Sequence, residues 1–431
     1  MKNDYYCSLI AYSPNENVLA VGLGNTVYGW SRETGMQVLN VGGNNGAWLT
    51  SIAFSSTEGS KGILAIGRSD NKLALMSLYD SAETTDRFRV LPRFEFCHQA
   101  HTTCLSWKPI CTTRPSRNPF GSHPTPMKVE ELLVGDHSGR VWYYSVEWPD
   151  RWEVNRNNWG GEVTLLAVIR VHREQVCGLA WSPTGSQFAT GGNDNICFLF
   201  DTSKVMDRWA RAARNLARTT EALDGSDHSE EDSVRLPMPL PGAVELKPGD
   251  EKHKWTHKAA VKAIAFCPWQ EGLIATGGGL KDQCIHFHHT ASGTTLATID
   301  VSAQVTSLVW SSTRREIVAT LGFAQPTHPY RVAIFSWPAC HLIAAIPWDE
   351  DTRALHAIPY PLVRDGLRRP RGHPSSAADE CIVVVSSGEA IGFYDVWPST
   401  GKSAAGRTGM LGGSDILEHM YGIDKEGDVI R

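Results

Sequence analysis

Three histidines stand within four consecutive positions, His286, His288 and His289, and imidazoles at this spacing are raw material for a transition-metal site. Alternation along a strand puts His286 and His288 on one face. The sequence places no cysteine or carboxylate to complete a tetrahedral set around them, so no metal ligand is assigned. His101, His172 and His257 each precede an apolar strand pattern, while Asp136, Asp194 and Asp282 occupy turn sequences. A His–Asp pair can activate a nucleophile, but no GxSxG elbow accompanies these. They fit hydrogen-bonded pairs that satisfy buried polar groups. The glycine clusters at Gly191-Gly192 and Gly277-Gly278-Gly279 match neither GxxxxGK[ST] nor GxGxxG, and neither opens a helix, so they are read as strand-end turns rather than phosphate cradles. Ten cysteines include no CxxC pair, and Cys7, Cys177, Cys197, Cys267, Cys284 and Cys381 lie inside apolar segments, as reduced structural thiols do. The expectation is a protein that is not an enzyme, with no catalytic residue, no cofactor and no metal.

What these residues share is a repeated setting. An alternating strand ends in an aromatic and a polar turn, followed by a short apolar strand, a Gly/Asp/Asn turn and a third strand. The cleanest copy is VCGLAWSPTGSQFATGGNDNICFLFD, from Val176 to Asp201, and seven copies can be counted. Their anchoring aromatics are Tyr12, Phe54, Trp107, Trp181, Phe266, Trp310 and Tyr360. One such unit has an apolar face that it cannot cover alone, so successive copies must stack, and radial stacking leaves only short edges. The fold class predicted is all-β, a seven-bladed WD40 β-propeller. The third strand of a blade usually carries a tryptophan, and the histidines at 286–289 are read as filling that place.

The propeller is expected over residues 1–398, with insertions at 111–128, 203–253 and 364–379, and a flexible tail over 399–431. Residues 111–128 read as a loop, 204–222 as a basic helix, and the acidic and Pro-rich stretch after it as a long connection. Tyr5 to Tyr12 already reads as an innermost strand, which leaves nothing upstream to close the ring. A strand from the tail, a longer natural N-terminus, or a seventh blade short of a strand all remain open. The formal charge of −5 offers no long-range attraction to nucleic acid or to an anionic membrane, and no stretch approaches 18 apolar residues. Neither partner is expected. A soluble intracellular protein is.

Specific phrases carry a resemblance. HREQVCGLAWSPTGSQFATGGNDN (His172 to Asn195), HKAAVKAIAFCPWQEGLIATGGGLKD (His257 to Asp282), AQVTSLVWSSTRREIVATLGFAQ (Ala303 to Gln325) and NVLAVGLGNTVYGWS (Asn17 to Ser31) are not general WD-repeat sequence. They resemble the Cdc20/Cdh1 (Fizzy) family of WD-repeat coactivators of the anaphase-promoting complex, including its divergent fungal meiosis-specific members. The resemblance implies a substrate-recognition and activator subunit of that ubiquitin ligase. Its partners would be degron-bearing cell-cycle or meiotic proteins and a helical-repeat subunit of the ligase.

The same resemblance supplies residues. Asn193 matches the family's asparagine that contacts the KEN motif, Gln325 lies in the matching FAQ phrase, and Glu389 matches an acidic residue beside the destruction-box groove. The chain ends in Ile430-Arg431, the family's docking dipeptide, which combines an apolar anchor, a planar guanidinium and a free carboxylate. Departures point to altered substrates: Ala11 stands where the family has Asp, Leu280 where it has Thr, Pro326 where it has Asn, and Gly392 where it has Arg. Met1 stands a few residues before the first copy, so the family's N-terminal arm with its C-box is expected to be missing. That leaves a shortened sequence or a non-activating pseudo-coactivator or general interaction scaffold as the alternative.

Overall fold

The computed structural model describes residues 8–43, 46–81, 91–121, 125–221, 242–348, 351–361 and 381–397. Seven antiparallel sheets follow one another in chain order and make a seven-bladed β-propeller. Their innermost strands are Ile10–Ser13, Leu49–Phe54, Thr102–Trp107, Val176–Trp181, Val261–Phe266, Ala303–Trp310 and Ala354–Tyr360. Each begins a copy of the repeat. Central strands are covered on both faces, so they read as continuous apolar runs rather than alternations: Ile63, Leu64, Ala65 and Ile66 are all fully buried. The last blade has three strands among the described residues, Ala354–Tyr360, Cys381–Ser386 and Ile391–Asp395. The insertion at 364–379 and the tail from 399 lie outside the described residues.

Close packing divides the chain into two units. In the one comprising Ala11–Thr190 and Phe198–His253, the anchoring tryptophans repeat a single contact. Trp107 Nε1 donates to Ala53 O at 3.0 Å, and Trp181 Nε1 donates to Ser106 O at 3.1 Å. Each indole reaches the carbonyl just before the aromatic of the preceding blade, which covers apolar surface while pairing the one polar atom the ring carries. In the other unit, Trp310 Nε1 repeats this with Ala265 O at 3.1 Å.

The glycine clusters correct the sequence reading. Gly191, Gly192, Gly277 and Gly278 are within second strands, not turns. A Cβ at Gly191 would come within 2.2 Å of Val261 O, and one at Gly277 within 2.4 Å of the Val305 side chain. Glycine is needed there because the next blade's first strand approaches too closely for any side chain.

The insertions also add structure. Residues 112–115 pair with 126–129, which turns the segment read as a loop into a hairpin on the third blade. Helix α1 (Arg151–Asn157) is capped by Asp150 and Glu153, and helix α2 (Thr202–Glu221) packs on the strands Glu162–Ile169 and Val244–Leu246. The chain returns from the long insertion to give blade four its outer strand, His253–Thr256. None of the nine described cysteines forms a disulfide. No helix among the described residues is long and apolar enough to cross a membrane.

The hairpin encloses a pH-sensitive group. Glu130 is 2 % exposed and accepts from Ser56 Oγ at 2.9 Å, yet burial pushes its carboxyl up to about 7 from the ordinary 4.5. The folded chain holds this proton more tightly than the unfolded chain. Its contribution to stability is therefore complete below pH 4.5 and is lost as pH rises through about 7. Glu130→Gln is expected to remove about 2–3 kcal/mol of the stability difference between pH 5 and pH 8. Urea unfolding of both proteins at the two pH values checks it, and equal pH dependence counts against the assignment.

Candidate functional site

Asn193, Gln325 and Glu389 fall on equivalent places in the unit that comprises Gly191–Cys197 and Lys254–Arg431. Each follows the second strand of its blade: Gln187–Gly192, Glu316–Ala324 and Cys381–Ser386. Within this unit the second strands of successive blades run in the same sense, so their C-terminal turns share one edge of the stacked sheets. Asn193 is half-buried, whereas Gln325 and Glu389 are exposed.

A series of contacts connects these turns. Asn195 O, in the turn with Asn193, accepts from the backbone N–H of His257 at 2.8 Å. The next residue, Lys258, donates its backbone N–H to Asp282 Oδ1 at 3.0 Å, in the equivalent turn of blade five. From that turn Gln283 Nε2 donates to Gln325 O at 3.2 Å, and the Gln325 N–H is itself held by Ser302 O at 2.8 Å. Two residues before Gln325, the exposed ring of Phe323 lies 4.1 Å below the Arg353 guanidinium. Arg353 N donates to Ser387 Oγ and Arg353 O accepts from Ser387 N, both at 2.9 Å, which fixes the turn that carries Glu389. The three candidate residues thus belong to a continuous, backbone-anchored edge rather than to three independent loops. Sequence reading missed Gln283, Phe323 and Arg353. An exposed phenylalanine two residues from a candidate polar group was the available signal.

Of the turn aspartates, Asp282 meets the histidine that precedes its blade's first strand, while Asp136 serves its own turn. Asp136 accepts from Trp142 Nε1 at 2.9 Å and closes its own turn through Ser138 and Arg140. Asp282 faces His257 Nδ1 at 3.4 Å, His257 Nε2 meets Thr276 Oγ1 at 3.2 Å, and His288 Nε2 meets the same hydroxyl at 3.1 Å. His288 stacks on Trp255 at 4.4 Å, and burial pushes its pKa down to about 2. It is an uncharged core ring in the position where a blade usually has tryptophan. His172 bonds Thr190 Oγ1 at 2.8 Å, while His101 stacks on His137 at 4.4 Å.

Comparisons give this edge its context. A WD domain, G-beta repeat model matches residues 163–201. Meiotic fizzy-related protein 2 of Schizosaccharomyces pombe is 27% identical over 98% of this chain and 67% of its own length. The meiosis-specific APC/C activator protein AMA1 of Saccharomyces cerevisiae is 29% identical over 98% of this chain and 61% of its own. Over nearly all of its length the chain is similar to proteins named as Fizzy-related and APC/C activators. Among solved structures, a chain of the mitotic checkpoint complex is 26% identical with a TM-score of 0.60, covering 92% of each chain. The chain spans about two thirds or less of the length of the curated relatives it matches.

The structure accounts for one of the departures from the resemblance. A Cβ at Gly392 would come within 2.6 Å of the Tyr394 ring, which also stacks on Trp348 at 6.2 Å, so the space for a side chain there is already filled. Ala11 is buried and brings no carboxylate. Pro326 is exposed, as is Leu280. Ile430 and Arg431 lie outside the described residues.

Proposed function

We propose that this chain is the substrate-recognition propeller of an anaphase-promoting-complex activator, binding degron-bearing cell-cycle or meiotic proteins at the edge that carries Asn193, Gln325 and Glu389. It is a non-catalytic adaptor of nucleus and cytoplasm that uses no cofactor, nucleic acid or membrane. Its Ile430-Arg431 terminus docks on a helical-repeat subunit of the ligase. The observation that carries the reading is the series of hydrogen bonds, bridged by the Phe323–Arg353 contact, that runs from Asn195 to Ser387 through the turns beside the candidate residues. A rigid presentation lowers the ordering cost of holding an extended peptide. An exposed carboxylate at Glu389 suits an arginine in that peptide, and the amide of Asn193 offers both donor and acceptor.

Glu389→Gln is expected to weaken an arginine-containing destruction-box peptide at least tenfold while leaving the same peptide with Arg→Ala unchanged. Fluorescence anisotropy with both peptides measures this, and equal weakening of the two would show that Glu389 does not read the arginine. Ubiquitination of candidate substrates by purified ligase, with and without this chain, tests the activator role itself. A second reading is a propeller that holds partners without stimulating the ligase. It draws on Ala11 and Gly392, each of which stands where the resemblance leads one to expect a charged residue. Substrate capture without ubiquitination would favour it.

A further inference from the structure

The Asp282 carboxylate gathers a second imidazole that the peptide-binding edge does not need. Its Oδ2 stands 2.9 Å from His286 Nε2 and 3.4 Å from His257 Nδ1, and all three atoms lie within 4.8 Å of one another. Sequence reading paired His286 with His288 and found no carboxylate for them. The fold separates that pair by giving His288 to Thr276, and the turn brings Asp282 back onto His286 instead. We propose that Asp282 Oδ2, His257 Nδ1 and His286 Nε2 form a three-ligand site for a divalent transition metal of the zinc class.

The donor set is two imidazoles and one carboxylate, which zinc accepts with a fourth position open. Tetrahedral ligands at zinc bond lengths are separated by about 3.3 Å, close to the two Asp282 distances. Asp282 Oδ1 is occupied by the Lys258 N–H at 3.0 Å, which fixes the carboxylate plane and leaves Oδ2 for the ion. Both rings also have the outer partner that metal-bound histidines need. His257 Nε2 meets Thr276 Oγ1 at 3.2 Å, and His286 Nδ1 meets Thr298 Oγ1 at 3.1 Å. A hydroxyl can donate or accept, so both rings can move their proton to the outer nitrogen and present a lone pair to the ion without net proton loss. His257 and Asp282 are 1% and 2% exposed, but His286 is 20% exposed, which gives an ion its entry and a solvent ligand its place. A bound ion would clamp the turn from which Gln283 reaches Gln325.

The test uses the full chain, stripped with a chelator and titrated with Co²⁺ as a visible-absorbing probe and with Zn²⁺ by calorimetry. One saturable Co²⁺ site with a tetrahedral or five-coordinate visible band is expected, competed by Zn²⁺. His286→Gln, with far-UV circular dichroism unchanged, is expected to weaken it at least tenfold. No saturable Co²⁺ band in the wild type overturns the proposal, as does binding by His286→Gln within tenfold of wild type. Should that variant fail to fold, Thr298→Val keeps all three ligands and removes only an outer partner. A loss of about tenfold in its affinity supports the site, and unchanged affinity overturns it.

Discussion

Removing Ile430 and Arg431 is expected to reduce recovery of the anaphase-promoting complex by this chain at least a hundredfold. The dipeptide combines an isoleucine side chain, a guanidinium and the terminal carboxylate in two residues. Truncating a hydrogen-bonded charged group in a formed interface costs about 2–5 kcal/mol, and each 1.4 kcal/mol is about tenfold in affinity. Losing the guanidinium and the apolar anchor while displacing the carboxylate therefore exceeds what a moderate interaction can absorb. Deletion also moves the carboxylate, so a second variant separates the parts. One glycine added after Arg431 retains both side chains and displaces only the carboxylate, and is expected to lose about tenfold or more. Quantitative pull-down with purified ligase measures both. Undiminished recovery by the deletion variant would sink the tail-docking proposal while leaving degron binding at Glu389 to be judged by its own peptide assay.

A comparable effect on stability is expected from Glu131. Its carboxylate is fully buried between the Lys108 ammonium at 2.9 Å, the Arg114 guanidinium and the Tyr143 hydroxyl at 2.7 Å. Burial opposes its ionisation, but the two cations outweigh burial and hold its pKa below the ordinary carboxylate value. Glu131→Ala leaves Lys108 and Arg114 in a desolvated place without their anion, so it is expected to cost about 3–5 kcal/mol in urea unfolding. The exposed pair of Lys72 and Glu95, at 2.8 Å, is the contrast. Glu95→Ala is expected to cost under about 1 kcal/mol, since water already screens that pair. Similar losses in the two variants would show that the Glu131 network does not hold the third blade together. Arg114 also lies over Trp209 of α2 at 5.3 Å, so release of this helix should accompany unfolding of the hairpin.

Much of the fold was legible because a blade depends on short-range pattern. Strand alternation, the aromatic that ends each innermost strand and the turn residues recur often enough to count blades without knowing how they pack. Trp107, Trp181 and Trp310 were recognisable as anchors for this reason, although nothing local showed that each indole N–H reaches the preceding blade. The hairpin at 112–129 was not legible, because its pairing depends on the partner strand more than on its Pro- and Thr-rich composition. Gly191 and Gly277 were misread as turns, since the demand for glycine comes from a neighbouring strand far along the chain.

The candidate site divides in the same way. Asn193, Gln325, Glu389 and the terminal Ile430-Arg431 were named by family phrases that survive in the linear sequence. Gln283, Phe323 and Arg353 were not, because their roles are contacts to turns of other blades. The sequence alone determined the repeat and the number of blades, since these depend on residue order and on an apolar face that each copy must cover. Only the tertiary structure decided which histidine meets Asp282 and which turns share an edge. Hydrogen bonds and ion pairs act over a few ångströms in space, and residues 25 to 93 positions apart, such as His257 with Asp282 or Lys262 with Leu355 O, become neighbours only when the strands of a blade pair and blades stack.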